Sequence, residues 1–129
     1  MNKKTTIYAA VLAALGIAFG AFGAHGLKNM VSLEAVAAFE TGVKYQMYHA
    51  LALLIIGLST VLPDKLKKQV TLFFLLGTLC FSGSIYLLSL NEVLSFNTAK
   101  IGFVTPMGGI LFIIGWILLV YKIVNLKKG

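Results

Sequence analysis

Most side chains in this chain that could do chemistry stand close together, at the ends of long apolar runs. Tyr45, Gln46, Tyr48 and His49 open one run, and His25 closes an earlier one. Ser82, Ser84 and Tyr86 lie in the later half of a third, and Thr105 opens a fourth. Tyr45 and His49 are four apart and Gln46 and His49 three apart, so on a helix they share a face. Just upstream, Glu40 and Lys44 are four apart, in the order that favours a surface ion pair. Ionisable groups at membrane depth are expensive, face the protein interior and mark sites or pathways. His25, Glu40, Lys44, Tyr45, Gln46, Tyr48, His49, Ser82, Ser84, Tyr86 and Thr105 therefore form a candidate polar pocket, with its functional core expected at Glu40, Lys44, His25 and His49. The competing use of the same residues is a satisfied hydrogen-bond network that locks helices together.

These residue types exclude more than they select. No Ser-x-x-Lys, Gly-x-Ser-x-Gly, Walker A or His-Glu-x-x-His pattern occurs, so no catalytic residue and no enzymatic activity are expected. Ser82-Gly83-Ser84 has no base beside it in sequence. Two histidines could hold a haem axially, but without a third ligand they make a poor zinc site. The single cysteine, Cys80, gives neither a disulfide framework nor a thiolate set. No metal or cofactor is expected. A proton- or cation-coupled exporter generally keeps a carboxylate within the membrane, and here the nearest, Glu40, falls at an interface.

The elements that must position these residues follow from composition. Of 129 residues, 59% are hydrophobic and 12% charged. That is too apolar for a soluble domain of this size and suits a chain solvated by lipid. The net charge of +7 comes entirely from lysine, with no arginine. Bidentate phosphate and base recognition leans on arginine, so no nucleic acid is expected. The lysines sit beside apolar runs, where anionic headgroups would meet them. Four transmembrane helices are expected, at about 7–23, 45–62, 70–90 and 106–124, because lipid offers the backbone no partners and each stretch approaches the roughly 20 residues that cross a bilayer. A cleavable signal peptide is the rival reading of the first stretch, with small residues at Ala21-Phe22-Gly23.

Between the first two spans, Ser32 is placed to cap a helix, and Leu33, Val36, Phe39 and Val43 recur at helical spacing. The expectation is a short interfacial helix over 32–44, the alternative one long helix from Leu33 to Leu62. The fold class is thus an all-α membrane protein, a compact four-helix bundle in a single domain. Ala9, Ala13, Gly16, Gly20 and Gly23 form a small-residue ridge on the first span. With Gly83, Gly108 and Gly109 these glycines are expected to serve helix packing, and a homo-oligomer contact through Gly16 and Gly20 is the other use. Lys3, Lys4, Lys65, Lys67, Lys68, Lys122, Lys127 and Lys128 fall on one side of the four spans, against Lys28, Lys44 and Lys100 on the other. The eight-lysine side should be cytoplasmic, with both termini there, which places the polar pocket in the outer half of the bilayer.

Four segments carry a further signal. They are Gly23-Ala24-His25-Gly26-Leu27; Phe39-Glu40-Thr41-Gly42-Val43-Lys44-Tyr45-Gln46-Met47-Tyr48-His49-Ala50; Phe81-Ser82-Gly83-Ser84-Ile85-Tyr86; and Thr105-Pro106-Met107-Gly108-Gly109 with Gly115-Trp116. In this order the chain resembles the domain-of-unknown-function family 423, small bacterial membrane proteins of the YgdD/YwdK type. The resemblance covers nearly the whole chain and implies a four-helix inner-membrane protein. It implies no reaction. The functional expectation is a non-enzymatic protein of the bacterial plasma membrane that supports envelope integrity or stress tolerance. It would bind lipid, or a membrane partner, through the outer-side pocket, with anionic lipids at the cytoplasmic rim. The alternative is a small transporter or channel for an ion or small molecule.

Overall fold

A computed structural model of the protein describes residues 1–95 and 98–127, and among them every regular element is helical. The long helices are α1 (Lys3–Ala24), α2 (Leu33–Leu58), α3 (Asp64–Ser89) and α6 (Val104–Val124). Two short helices, α4 (Asn91–Leu94) and α5 (Thr98–Gly102), and a 3-10 turn at Leu27–Asn29 complete the chain. Three segments are long and apolar enough to cross a membrane: Lys3–Asn29, Asp64–Ser89 and Lys100–Val124. The remaining long helix, α2, carries Glu34, Glu40, Lys44 and the Gln46–His49 cluster, which lower its hydropathy.

The helix starts are read from their caps. Asn2 accepts the Thr5 amide at 3.0 Å, and Ser32 accepts the Ala35 amide at 3.2 Å, satisfying donors that the first helical turn leaves free. Pro106 falls in the first turn of α6, where its missing N–H breaks no helical bond.

The expected separate interfacial helix over 32–44 is not there as its own element. Residues 33–58 are one helix, and the second stretch ends at Leu58, short of the expected 62. The cause is visible in its buried positions: Val36, Phe39, Gly42, Gln46, His49, Leu53 and Ile56 succeed one another at spacings of three and four. One stripe runs the whole length, so nothing rewards a break. At 26 residues the helix is about 39 Å long.

The four long helices alternate in direction. Asn2 Nδ2 donates to Asp64 Oδ1 at 2.5 Å, the Asn2 amide donates to the Gly57 carbonyl at 2.8 Å, and Lys67 Nζ donates to the Ser59 carbonyl. Lys4 and Lys68 face a common groove, and Lys65 and Lys122 a common notch. The lysine-rich segments therefore meet at one end of the molecule; Lys128 lies outside the described residues. α1 packs along α2, α2 along α3, and α3 along α6, with no comparable packing between α1 and α6 among the described residues. The compact bundle expected from sequence is thus a row of neighbours. α2 and α3, the inner pair, hold most of the core around Leu53, Ile56, Val70 and Phe74. The outer helices leave long apolar flanks uncovered, with Ile17 66% and Ile117 62% exposed.

Candidate functional site

The stripe of α2 presents Gln46 and His49 inward, one turn apart, toward different neighbours. His49 is buried and stacks on Phe112 of α6, with ring centroids 3.6 Å apart and planes within 9°. Phe74 of α3 meets it edge-on at 4.8 Å. The indole Nε1–H of Trp116 donates to His49 Nε2 at 3.1 Å, and His49 Nδ1 lies 2.7 Å from the Tyr45 carbonyl. These partners fix the tautomer. Indole N–H can only donate, so Nε2 must carry the lone pair; the carbonyl can only accept, so Nδ1 must carry the proton. His49 sits there as a neutral ring with both nitrogens engaged.

Gln46 ties three helices. Its Nε2 donates to the Leu12 carbonyl of α1 at 2.9 Å, and its Oε1 accepts from Tyr86 OH of α3 at 2.6 Å. Ser82, fully buried on α3, donates to the Gly42 carbonyl of α2 at 2.7 Å. A Cβ at Gly42 would stand 2.7 Å from the Tyr86 ring, so only glycine lets the ring lie against α2 there. Tyr86 packs in turn on Phe39 at 4.7 Å and Phe19 at 5.2 Å. Ser84 donates to the Phe81 carbonyl and stands 2.5 Å from Thr105 Oγ1. With the Ser84 proton committed, Thr105 is the donor of that pair, joining α3 to α6.

The structure therefore brings together Gln46, Ser82 and Tyr86, joins Ser84 to Thr105, and seats His49 beside Tyr45. It does not assemble the core expected at Glu40, Lys44, His25 and His49. His25, Glu40, Lys44 and Tyr48 are exposed, and among the described residues they make no side-chain hydrogen bond or ion pair. His25 contributes its backbone N–H to the end of α1. Glu40, Lys44 and Tyr48 fall off the buried stripe of α2, on its outward face. The polar cluster is a network of mutual bonds with little left over for a polar ligand.

Beside that network lies a different opening. Tyr45, Phe81, Gly109, Ile113 and Trp116, with the stacked His49 and Phe112, line a cleft of about 350 Å³. Its walls come from α2, α3 and α6. Ile113 and Trp116 are 58% and 42% exposed, so the cleft opens on the apolar flank of the helices. Sequence reading missed Phe112, Ile113 and Trp116 as site residues. The signal for the last was present: a lone tryptophan deep in an apolar run must find an acceptor for its N–H, and His49 was the obvious one.

Of the expected packing glycines, Gly16 lies on Met47, Gly20 on Val43 and Gly23 on Phe39, so the α1 ridge faces α2 of the same chain. Gly108 lies against the Phe81 backbone. Gly109 has only ordinary contact with Phe81 and instead lines the cleft. Gly83 is not a packing glycine: among the described residues a Cβ there meets nothing within 4 Å. Gly77 and Gly115, not among the glycines expected to serve packing, receive Phe112 and Phe74.

The model of the family described as "Protein of unknown function (DUF423)" matches residues 19–109. His49 lies inside that stretch and Trp116 beyond it. The chain is 39% identical over 128 residues to the UPF0382 membrane protein YwdK of Bacillus subtilis, covering 95% of this chain and 98% of that one. It is 37% identical over 121 residues to a UPF0382 membrane protein of Haemophilus influenzae, covering 94% of each. It is 35% identical over 130 residues to the UPF0382 inner membrane protein YgdD of Escherichia coli, covering 98% of this chain and 94% of that one. No solved structure matches it.

Proposed function

The chain belongs to the DUF423 family of small membrane proteins, and from that premise we propose that it crosses the bacterial plasma membrane four times and steadies it by holding a lipid acyl chain. The crossings are α1, the second half of α2, α3 and α6. Support for counting α2 comes from its later turns, where Leu51, Ile55 and Leu58 are 50%, 73% and 51% exposed, a flank that only lipid would cover without penalty. The lysine-rich end faces the cytoplasm, with both termini, and its charges meet anionic headgroups. Reporter fusions after residue 66 and at the C-terminus should report the same face; opposite faces would remove this topology.

The protein acts by binding and not by catalysis. The observation that carries this reading is the cleft between α2, α3 and α6. It is apolar, is open toward the bilayer, and has the neutral His49–Trp116 pair along one wall. An acyl chain from the outer leaflet fits that chemistry, since the cleft presents no unpaired charge. The bonded network around Gln46 supports a fixed scaffold more than a conduit for ions.

The chain has one tryptophan, and it lines the cleft. Trp116 fluorescence therefore reports occupancy directly. In vesicles doped with acyl-brominated lipid, quenching should saturate at low mole fraction, and Gly109→Leu, which fills the cleft, should weaken it. A deletion strain should leak small dyes under envelope stress, and only the unmodified chain should restore it. Equal quenching and equal rescue by Gly109→Leu would dismiss the cleft as the working site.

A further inference from the structure

The cleft proposed above opens on the outer half of the helices; a second groove lies at the lysine-rich end, between α1 and α3. We propose that this groove is a site for one anionic phospholipid of the cytoplasmic leaflet, with Lys4 and Lys68 holding the phosphate. The inference rests on the four-crossing orientation and is independent of the acyl-chain cleft.

The groove encloses about 320 Å³. It exists because α1 leans mainly on α2, and α3 on α2 and α6, so that the backbones of α1 and α3 share little packing. Its floor is closed by a hydroxyl pair: Thr5 Oγ1 and Thr71 Oγ1 are 2.8 Å apart and buried. Thr71 donates to the Lys67 carbonyl at 2.6 Å, so Thr5 is the donor between them. The floor is thus satisfied within the protein, and the recognition groups are the ones around its mouth.

Those groups are graded with depth. Lys4 and Tyr8 stand one turn apart on α1, and Lys68, Leu72 and Leu75 succeed one another on α3. The two ammonium groups therefore lie toward the aqueous end, with the phenol and the two leucines on the deeper turns of their helices. This is the order of phosphate, glycerol and acyl chain in a phospholipid entering from the cytoplasmic side. Tyrosine favours that interfacial level. Free phosphate would use the lysines and leave the leucine wall idle, whereas a phospholipid uses both. A local competitor is already present: Asp64 pairs with Lys68 at 3.1 Å, with both side chains more than half exposed. A headgroup phosphate would displace that pairing.

Native mass spectrometry of the purified full-length chain, titrated with phosphatidylglycerol, tests this. One phosphatidylglycerol should bind in preference to phosphatidylcholine of the same acyl chains. At about 5-fold per lysine near a charged surface, the double variant Lys4→Gln/Lys68→Gln should bind about 25-fold more weakly. Lys65→Gln/Lys127→Gln removes the same charge elsewhere and should change binding far less. Asp64→Asn should tighten it by freeing Lys68. Equal loss in the two double variants would show diffuse attraction and overturn the site, as would displacement of the lipid by millimolar inorganic phosphate. Gly109→Leu should leave phosphatidylglycerol binding intact, so failure of the outer cleft and failure of this groove are read separately.

Discussion

The two outer helices are docked by different uses of glycine. Along most of α1 and α2 the glycines stand on one partner: Gly16, Gly20 and Gly23 of α1 receive Met47, Val43 and Phe39 of α2, and only at the lysine-rich end does Gly57 of α2 receive Thr5 and Thr6 of α1. Along α3 and α6 the exchange is reciprocal. Gly77 of α3 receives Phe112, Gly115 of α6 receives Phe74, and Gly108 of α6 lies on the backbone of Phe81. A one-sided ridge lets side chains lie in a groove and adjust. A reciprocal seam interlocks rings and brings backbone to backbone, so neither helix can shift without the other. The functional consequence follows from position: Phe112 and Phe74 of the interlocked seam are the rings packed on His49, and Phe81 packs in turn on Phe112. The cleft is built on the rigid side of the molecule.

The sharpest way to break this contrast is Gly108→Ala. Its Cβ would fall inside contact distance of the Phe81 backbone, which cannot rotate away. Overpacking a well-packed core costs about 1–3 kcal/mol, and a clash with backbone should set the upper end or beyond. Thermal unfolding in detergent should show the variant unfolded or much weakened. Gly16→Ala should be milder, about 1 kcal/mol or less, because its nearest neighbour is the Met47 sulfur at 2.5 Å, the end of an adaptable side chain. If the two substitutions weaken the protein equally, the seams do not differ in rigidity.

Trp116→Phe sharpens the comparison from the α2 side. It keeps the ring and removes the donor, leaving His49 Nε2 without a partner in a buried setting. An orphaned buried acceptor costs about 1–3 kcal/mol. The loss should be largely recovered by His49→Phe in the same chain, since replacing both partners with apolar groups of similar shape is nearly neutral. Absence of coupling in that double-mutant cycle would mean that the bond does not hold α6 to α2.

How much of this was legible in the sequence depended on periodicity. The helical class and the places of α1, α3 and α6 followed from apolar runs and from Pro106 in the first turn of α6, but α1 and α3 begin earlier than those runs, at Lys3 and Asp64. The cap at Ser32 was readable from residue type. The unity of α2 was harder, because its apolar residues change to Gln46 and His49 midway while the burial stripe continues. A stripe made of different chemistries looks like two segments. The bonded cluster was partly visible, since Gln46, His49, Ser82 and Tyr86 are polar within apolar runs. Glu40, Lys44 and His25 were grouped with them by proximity along the chain, yet 40 and 44 are on the wrong face of the helix that carries 46 and 49. The cleft itself was not legible. Its walls are ordinary Phe, Ile and Gly residues, and only the packing of three helices distinguishes them from their neighbours.

Gly83→Ala probes the same helix where no partner stands among the described residues. With nothing near its Cβ, the substitution should stabilise α3 by about 0.5–1 kcal/mol through reduced backbone freedom. It is the inverse of Gly108→Ala on the adjoining seam, and a destabilising result would mean that this face of α3 is covered in the membrane.

The smallest expected effect separates the two sides by pH. Asp64 precedes the apolar part of α3 and ties α1 to it: its carboxylate accepts from Lys68 and from Asn2, and these bonds hold its pKa below the ordinary carboxylate value. A carboxyl whose pKa is lower folded than unfolded favours the folded state when ionised. That contribution is complete above about pH 4, the usual range of a free Asp, and fades as pH falls through the lowered folded value. From pH 8 to pH 5 it is therefore flat. Below about pH 4, hydrogen exchange in the first turn of α1 should accelerate while the Gly77–Gly108–Gly115 seam, whose contacts carry no charge, stays protected. Asp64→Asn should abolish the acid-side acceleration in α1. If it persists in that variant, the tie between Asn2 and Asp64 is not what anchors α1 to the inner pair, and the one-sided ridge on α2 holds that helix without help from charge.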